Sequence, residues 1–168
     1  DVACLQETHL TENLRFTVRG YQTYREDRKE RNKGGVLILV KNHIPAKHIT
    51  VDTNGQAEIT GVEITVHDNQ IRIYNLYCPP DRSLSLHTMD IPKENCLLVG
   101  DFNSHSPSWG YTETDARGEE VEDWIIENQL HLLNSPDDQP TFFSRRWLST
   151  TTPDLAFATN NLQISATR

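Results

Sequence analysis

The sequence predicts an α+β domain of two packed β-sheets carrying outer helices. Three observations lead there: many short runs with strand character, one pair of alternating runs joined as a hairpin, and one stretch with helical apolar spacing. At 168 residues the chain has the size of a single domain, residues 1–168, and can bury a substantial core without a disulfide or metal staple.

Taken in order, VACLQE at the start reads as an inner strand ending in the polar pair Gln6-Glu7. No lead-in precedes it, so a piece cut from a longer protein is expected. Residues 21–24 predict a second strand, and residues 34–42, GGVLILVKN, a third. Between them, Arg25, Arg28, Lys29, Arg31 and Lys33 alternate with Glu26, Asp27 and Glu30, which suits a solvated loop as well as a phosphate contact. Gly34 and Gly35 mark a turn or bulge rather than a phosphate cradle, because no helical pattern follows them. Residues 49–51 predict a short strand, and residues 58–67 and 70–77 a hairpin about Asp68-Asn69. Pro79 stops the second hairpin strand, leaving Tyr77 at its mouth as either a core tyrosine or a donor aimed into a site.

From Asp81 to Lys93 only Leu84, Leu86 and Met89 offer anchors, so a brief helix or loop is expected. CLLVGDFN, residues 96–103, then runs an apolar strand into Asp101 and Asn103. Two residues apart on a strand, these side chains share one face while Phe102 points into the core. A carboxylate beside a carboxamide can hold a water and donate to a phosphoryl oxygen; an Asx turn closing the strand is the other reading. Residues 118–129 place Val121, Trp124, Ile125 and Asn128 at helical spacing, with Glu119, Glu120 and Glu122 where the helix dipole favours them and Trp124 as a packing residue. Strands at residues 132–134, 141–144 and 155–158 complete the chain.

A formal net charge of −8 weakens any grip on nucleic acid through phosphates alone. Cys4, Cys78 and Cys96 are odd in number and lack a CxxC pair, which points to reduced thiols in an intracellular compartment, with Cys4 and Cys96 in the core. The longest apolar run, residues 36–40, is far too short for a membrane span, so no membrane partner is expected.

Four strand ends carry polar residues in a defined order: Gln6-Glu7, Tyr77, Asp101-x-Asn103 with His105, and Asp154. With LQETHL, the Asp27-Arg28 pair before GGVLILV, NLYCPP, LLVGDFNSHSPSWG, DARG, ENQLHLLN and Thr152-Pro153-Asp154-Leu155, the chain resembles the endonuclease/exonuclease/phosphatase (DNase I-like) family. Within it the sequence is most similar to the endonuclease domain of non-LTR (LINE-type) retrotransposons. The resemblance covers nearly the whole chain and implies a four-layer α/β sandwich of two mixed sheets flanked by helices.

It also implies roles. Glu7 matches the ligand of a divalent cation, Mg²⁺ or Mn²⁺, with Gln6 as its support. Asp101 matches the residue that orients or deprotonates the attacking water, Asn103 the donor to the phosphoryl group, and Tyr77 a residue near the scissile phosphate. Asp154 matches the carboxylate that buttresses a catalytic histidine. Thr141, with Arg145, Arg146 and Trp147 on the following hairpin, matches a segment that projects toward DNA. The family's Asn on a preceding strand and its Ser-Asp-His motif are not in these residues, which reads as truncation at both ends and as possible inactivity of the piece; His105 is a loop support in the matching position rather than a substitute. The implied function is a metal-dependent endonuclease that nicks double-stranded DNA for reverse transcription, acting in the nucleus and joined to a reverse transcriptase domain. A degenerate copy serving as a binding module and a phosphomonoesterase on the same fold are the alternatives.

Overall fold

The most apolar run of the sequence becomes the central strand of a three-stranded antiparallel sheet. In this computed structural model, which describes residues 1–28, 34–51, 57–82, 86–89 and 92–162, β3 (Val36–Lys41) lies between β1 (Val2–Leu5) and β2 (Tyr21–Glu26). A six-stranded sheet packs against it in the order β4 (Ala46–Ile49), β5 (Glu58–Val66), β6 (Asn69–Tyr77), β7 (Cys96–Asp101), β11 (Asp154–Thr159), β8 (Leu130–Leu132). Its one parallel pairing, β6 with β7, brings the ends of those two strands side by side. The two-sheet sandwich expected from the sequence is therefore present. Lys29, Arg31, Lys33 and Leu84 lie outside the described residues.

Strand alternation builds two cores from the larger sheet. Val62, Ile64, Ile73 and Leu97 face β1–β3, meeting Ile38, Val40 and the half-buried Val2 and Cys4. Ile59, Leu76, Leu98, Phe157 and, just beyond β7, Phe102 face the other way, where α1 (Ala116–Glu127) seals them with Val121 and Trp124. Trp124 is a packing residue, edge-on to Phe157 at 6.1 Å. Among the described residues α1 is the one α-helix; the segment after Asp81 contributes a single 3₁₀ turn, Leu86–Thr88.

Most boundaries shift by a residue or two from the sequence reading, α1 by two at each end, and three of the shifts have a visible cause. The hairpin turns at His67-Asp68, one residue early, because both take left-handed φ values of 47° and 66°, the conformation a two-residue hairpin turn needs. β4 occupies Ala46–Ile49 rather than residues 49–51, since that register pairs it with β5. β8 ends at Leu132 because Asn134 replaces the ladder with its side chain: Nδ2 donates to the Asp154 carbonyl at 2.9 Å and Oδ1 accepts from the Ala156 N–H at 2.8 Å. One strand was not foreseen, β10 (Ser149–Thr151). It has no apolar pattern and exists through its pairing with β9 (Phe142–Ser144) in a separate two-stranded hairpin.

Candidate active site

Register places one row of polar side chains across the rim of the larger sheet. Glu58 of β5 pairs with Tyr77 of β6, Tyr77 with Asp101 of β7, and Asp101 with Asp154 at the start of the antiparallel β11. Tyr77 and Asp101 have the parity of the residues that face the smaller sheet, so they meet what β1 delivers there. That is Glu7, two residues past the end of β1, whose Oε1 accepts a short hydrogen bond from the Tyr77 hydroxyl. The ends of five strands, β1, β5, β6, β7 and β11, thus converge at one edge.

The turn at Gly34-Gly35 holds Glu7 in place. With φ of 94° and 89° these glycines aim their carbonyls at the following loop, where Thr8 N donates to Gly35 O at 3.1 Å and His9 N to Gly34 O at 2.7 Å. Beneath the rim, buried Asn75 stitches the sheets together. Its Nδ2 donates to Leu5 O at 2.9 Å and Leu37 O at 3.0 Å, and its Oδ1 accepts from Gln6 Nε2 at 2.5 Å. Gln6 supports the site in this way while Glu7 reaches into it.

Arg25 and Arg28, the described cations of the basic loop, are engaged within the fold. Arg25 donates to the Leu14 carbonyl at 3.0 Å and the Thr11 carbonyl at 3.2 Å. Arg28 pairs through Nε with the buried Glu58 and lies 5.9 Å above the Tyr77 ring. Glu58 also accepts from Gly35 N at 2.5 Å.

At the other side of the rim, Asp101 and Asn103 reach one cleft by a route the strand argument did not foresee. β7 stops at Asp101, and Asn103 sits at φ 45°, outside strand geometry. Asn103 N donates to Asp101 Oδ1 at 2.9 Å, so the segment is an Asx turn, and its Nδ2 donates to Cys78 O at 3.0 Å. Turn and site coexist: the turn is what brings both side chains to the cleft. Phe102, between them, is fully buried as expected.

The cleft, about 290 Å³, is lined by Glu7, Tyr77, Asp101, Asn103, His105 and Tyr111, with Phe142 and Thr151 from the base of the β9–β10 hairpin. His105 stacks on Tyr111 with centroids 4.2 Å apart, and its backbone N–H donates to Asp115 Oδ1 at 3.1 Å, which makes it a loop support. Asp154 is paired in register with Asp101 and is not one of the residues lining the cleft. Thr141, Arg145, Arg146 and Trp147 are not in the cleft; they sit exposed along the hairpin, with the Arg146 guanidinium 4.8 Å from the Trp147 ring. Phe142, Phe143, Trp147 and Leu148 are each exposed, with Phe142 and Phe143 on opposite faces of β9.

Charge at the rim is unbalanced toward the negative. Burial pushes the Asp101 carboxyl up to about 7, with Asp154 and Glu7 adding to the rise and the Asn103 amide and Arg117 opposing it. Burial likewise raises the Tyr77 hydroxyl, with its bond to Glu7 next, so the phenol stays a donor. A divalent cation suits this excess of carboxylate. Among the described residues no cluster of three or more His, Cys, Asp or Glu stands ready as a cage, whereas one or two carboxylates plus water and substrate phosphate is how Mg²⁺ is ordinarily held.

The fold places the chain in the class of DNase I-like proteins. Similar solved structures are the endonuclease domain of TRAS1, a telomere-specific non-LTR retrotransposon (24% identity, TM-score 0.77, 95% of this chain and 73% of that one), and the human Nocturnin catalytic domain (15%, 0.53, 95% and 69%). A humanized D. rerio TDP2 is a third (11%, 0.52, 97% and 72%). More narrowly, residues 71–168, over half of the chain, match the family described as endonuclease-reverse transcriptase, and the chain belongs to that family. By family it is a nuclease-type hydrolase.

Arg117 and Asn75 were missed as site-building residues. Asn75 carried a signal, a carboxamide inside an otherwise apolar strand run, and Arg117 carried none beyond its place in DARG.

Proposed function

We propose that this chain is the core of a divalent-metal-dependent endonuclease that nicks one strand of double-stranded DNA, leaving a 3′-hydroxyl to prime a reverse transcriptase in the same polyprotein. The observation that carries the reading is the rim itself: Glu7, Tyr77, Asp101 and Asn103 line one cleft, with Asp154 in register beside Asp101.

Asp101 orients the attacking water and takes its proton, and a carboxyl poised near neutral pH is suited to that exchange. Asn103 donates from its amide to a phosphoryl oxygen as charge builds there; one of its two N–H groups is spent on Cys78 O and the second is left for substrate. Tyr77 holds Glu7 through its hydroxyl and stays protonated beside the phosphate. Glu7, supported through Gln6 and Asn75, would hold Mg²⁺ or Mn²⁺. When bound, the cation neutralises phosphate charge and steadies the leaving oxygen. Asp154 is assigned to buttress a histidine of the family's Ser-Asp-His element, a motif that residues 1–168 do not contain. Work on chromosomal DNA would place the protein in the nucleus; among the described residues no helix is long and apolar enough to cross a membrane.

The test is conversion of supercoiled plasmid to open circle with Mg²⁺, with and without EDTA, by this chain and by a longer form carrying Ser-Asp-His. Nicking by the longer form that EDTA abolishes supports the proposal. A folded longer form that never nicks gives way to a DNA- or protein-binding module, and release of phosphate from inositol phosphates without nicking gives way to a phosphomonoesterase.

The hairpin supplies contact that a net charge of −8 does not. Trp147, 71% exposed, offers a face for a sugar or base, and Arg145 and Arg146 offer charge to the backbone. Trp147→Ala is expected to weaken duplex binding about tenfold while kcat stays put. Because the ring is exposed, stability should move by less than about 0.5 kcal/mol. Fluorescence anisotropy with a labelled duplex, alongside thermal unfolding, checks both.

A further inference from the structure

The guanidinium of Arg117, in the first turn of α1, donates to five backbone carbonyls and to no side chain in the bonds described for it. Nη1 reaches Cys78 O and Phe102 O at 3.3 Å and Asn103 O at 3.4 Å; Nη2 reaches Pro79 O at 3.1 Å and Arg82 O at 2.5 Å. These carbonyls belong to two loops, the one after Tyr77 and the one after Asp101, which otherwise leave the sheet in different directions. The planar fork spans both through the four N–H groups of its two terminal nitrogens, with Nη1 shared among three carbonyls, whereas an ammonium offers three donors at a single point.

The shared acceptor is Cys78 O. It takes a bond from Arg117 and also from Asn103 Nδ2 at 3.0 Å, so the cation fixes the carbonyl that in turn fixes the Asn103 amide. Neighbouring residues of DARG converge on the same loop. Asp115 Oδ1 accepts from His105 N at 3.1 Å while capping the helix at Gly118 N at 2.7 Å. Gly118 leaves room for His105 O, which would lie 1.9 Å from any Cβ placed there.

We propose that Arg117 is a positioning residue for the cleft, locking Asn103 in its left-handed turn and setting the orientation of its amide toward substrate through the Cys78 carbonyl. The idea rests on the endonuclease reading for its effect on rate, but its structural half stands without it. A burial role alone would be met by any side chain that fills the space; the five-carbonyl arrangement makes the specific demand that both loops move when the fork is lost.

The experiment pairs Arg117→Lys with Arg117→Gln in the longer, nicking-competent form. Single-turnover cleavage of a short labelled duplex is expected to slow about 10²-fold, because small misplacements of a catalytic group cost that much. Duplex Kd, measured in EDTA by anisotropy, is expected to stay within about threefold, since the residue touches backbone and not substrate. Amide hydrogen exchange at Phe102 and Asn103 is expected to quicken at least about tenfold, with the β6 amides unchanged. Exchange unchanged in both variants, cleavage within about threefold of the parent, or loss of cooperative unfolding in both variants overturns the proposal. If the parent itself never cleaves, the endonuclease reading falls, while the exchange comparison still decides whether Arg117 locks the turn.

Discussion

In the longer, nicking-competent form, Asp101→Asn is expected to slow nicking severely while leaving the protein folded, and at pH 8 more stable than the parent. The carboxamide keeps an oxygen to accept from Asn103 N, so the Asx turn survives. What it loses is the proposed base, which should lower the rate by about 10²–10⁴-fold. The stability gain follows from linkage. A carboxyl held at about 7 in the fold and near the ordinary carboxylate value when unfolded binds its proton more tightly in the native state. Its contribution is therefore full below the unfolded value and is lost as pH rises through about 7. At pH 8 the charged carboxylate costs the fold on the order of 2 kcal/mol, after allowing for solvent screening of a partly exposed group, and the amide does not. Urea unfolding at pH 5 and pH 8 checks it: the mutant should be favoured at the higher pH, and added Mg²⁺ should narrow the gap by stabilising the parent. Equal denaturation midpoints at both pH values would remove the electrostatic account of the rim.

Gly100→Ala is expected to be the most damaging small substitution near the site. A Cβ at Gly100 would fall 1.9 Å from the Leu76 carbonyl oxygen and 2.7 Å from its carbon, inside the parallel β6–β7 pairing. Backbone cannot step aside as a flexible side chain does, and the φ of 157° adds strain. A loss of about 3–5 kcal/mol is expected, in the range reserved for overpacking and strain combined. Because Gly100 is followed at once by Asp101, whatever fraction stays folded should also nick poorly. Thermal unfolding measures the first effect, and activity normalised to the folded fraction the second.

How much of this could be read beforehand depended on whether a local pattern carried it. The β5–β6 alternation, the Val36 to Val40 run and the α1 spacing are local, and each became the element it promised. The two-sheet sandwich followed from them. Glu7, Tyr77 and Asp101 were legible as strand ends, and the structure brings them to one cleft. Asn103 was chosen on strand parity, yet its position comes from a left-handed turn that parity does not describe. β10 was illegible because its residues, Ser149–Thr151, are strand only by virtue of a partner. Arg28 read as one of several loop cations; its pairing with Glu58, 30 residues away, is a tertiary fact with no local trace. The Arg117 fork is of the same kind, since five carbonyls leave no mark on composition.

The Asn75 stitch has a consequence for the order of events when the chain is made. Leu5, Leu37 and Gln6 come early and Asn75 later, while Asp101 and Asp154 come later still, so the cleft closes only when the two sheets have docked. Pairings of such long separation are slow to form and are completed late. A ribosome-bound chain would hold its carboxylates apart until β11 has been threaded beside β7. On the proposed endonuclease reading, cleaving ability would arrive only with the finished fold, and a half-made or misassembled copy would carry no cutting edge with which to scar the nucleic acid around it.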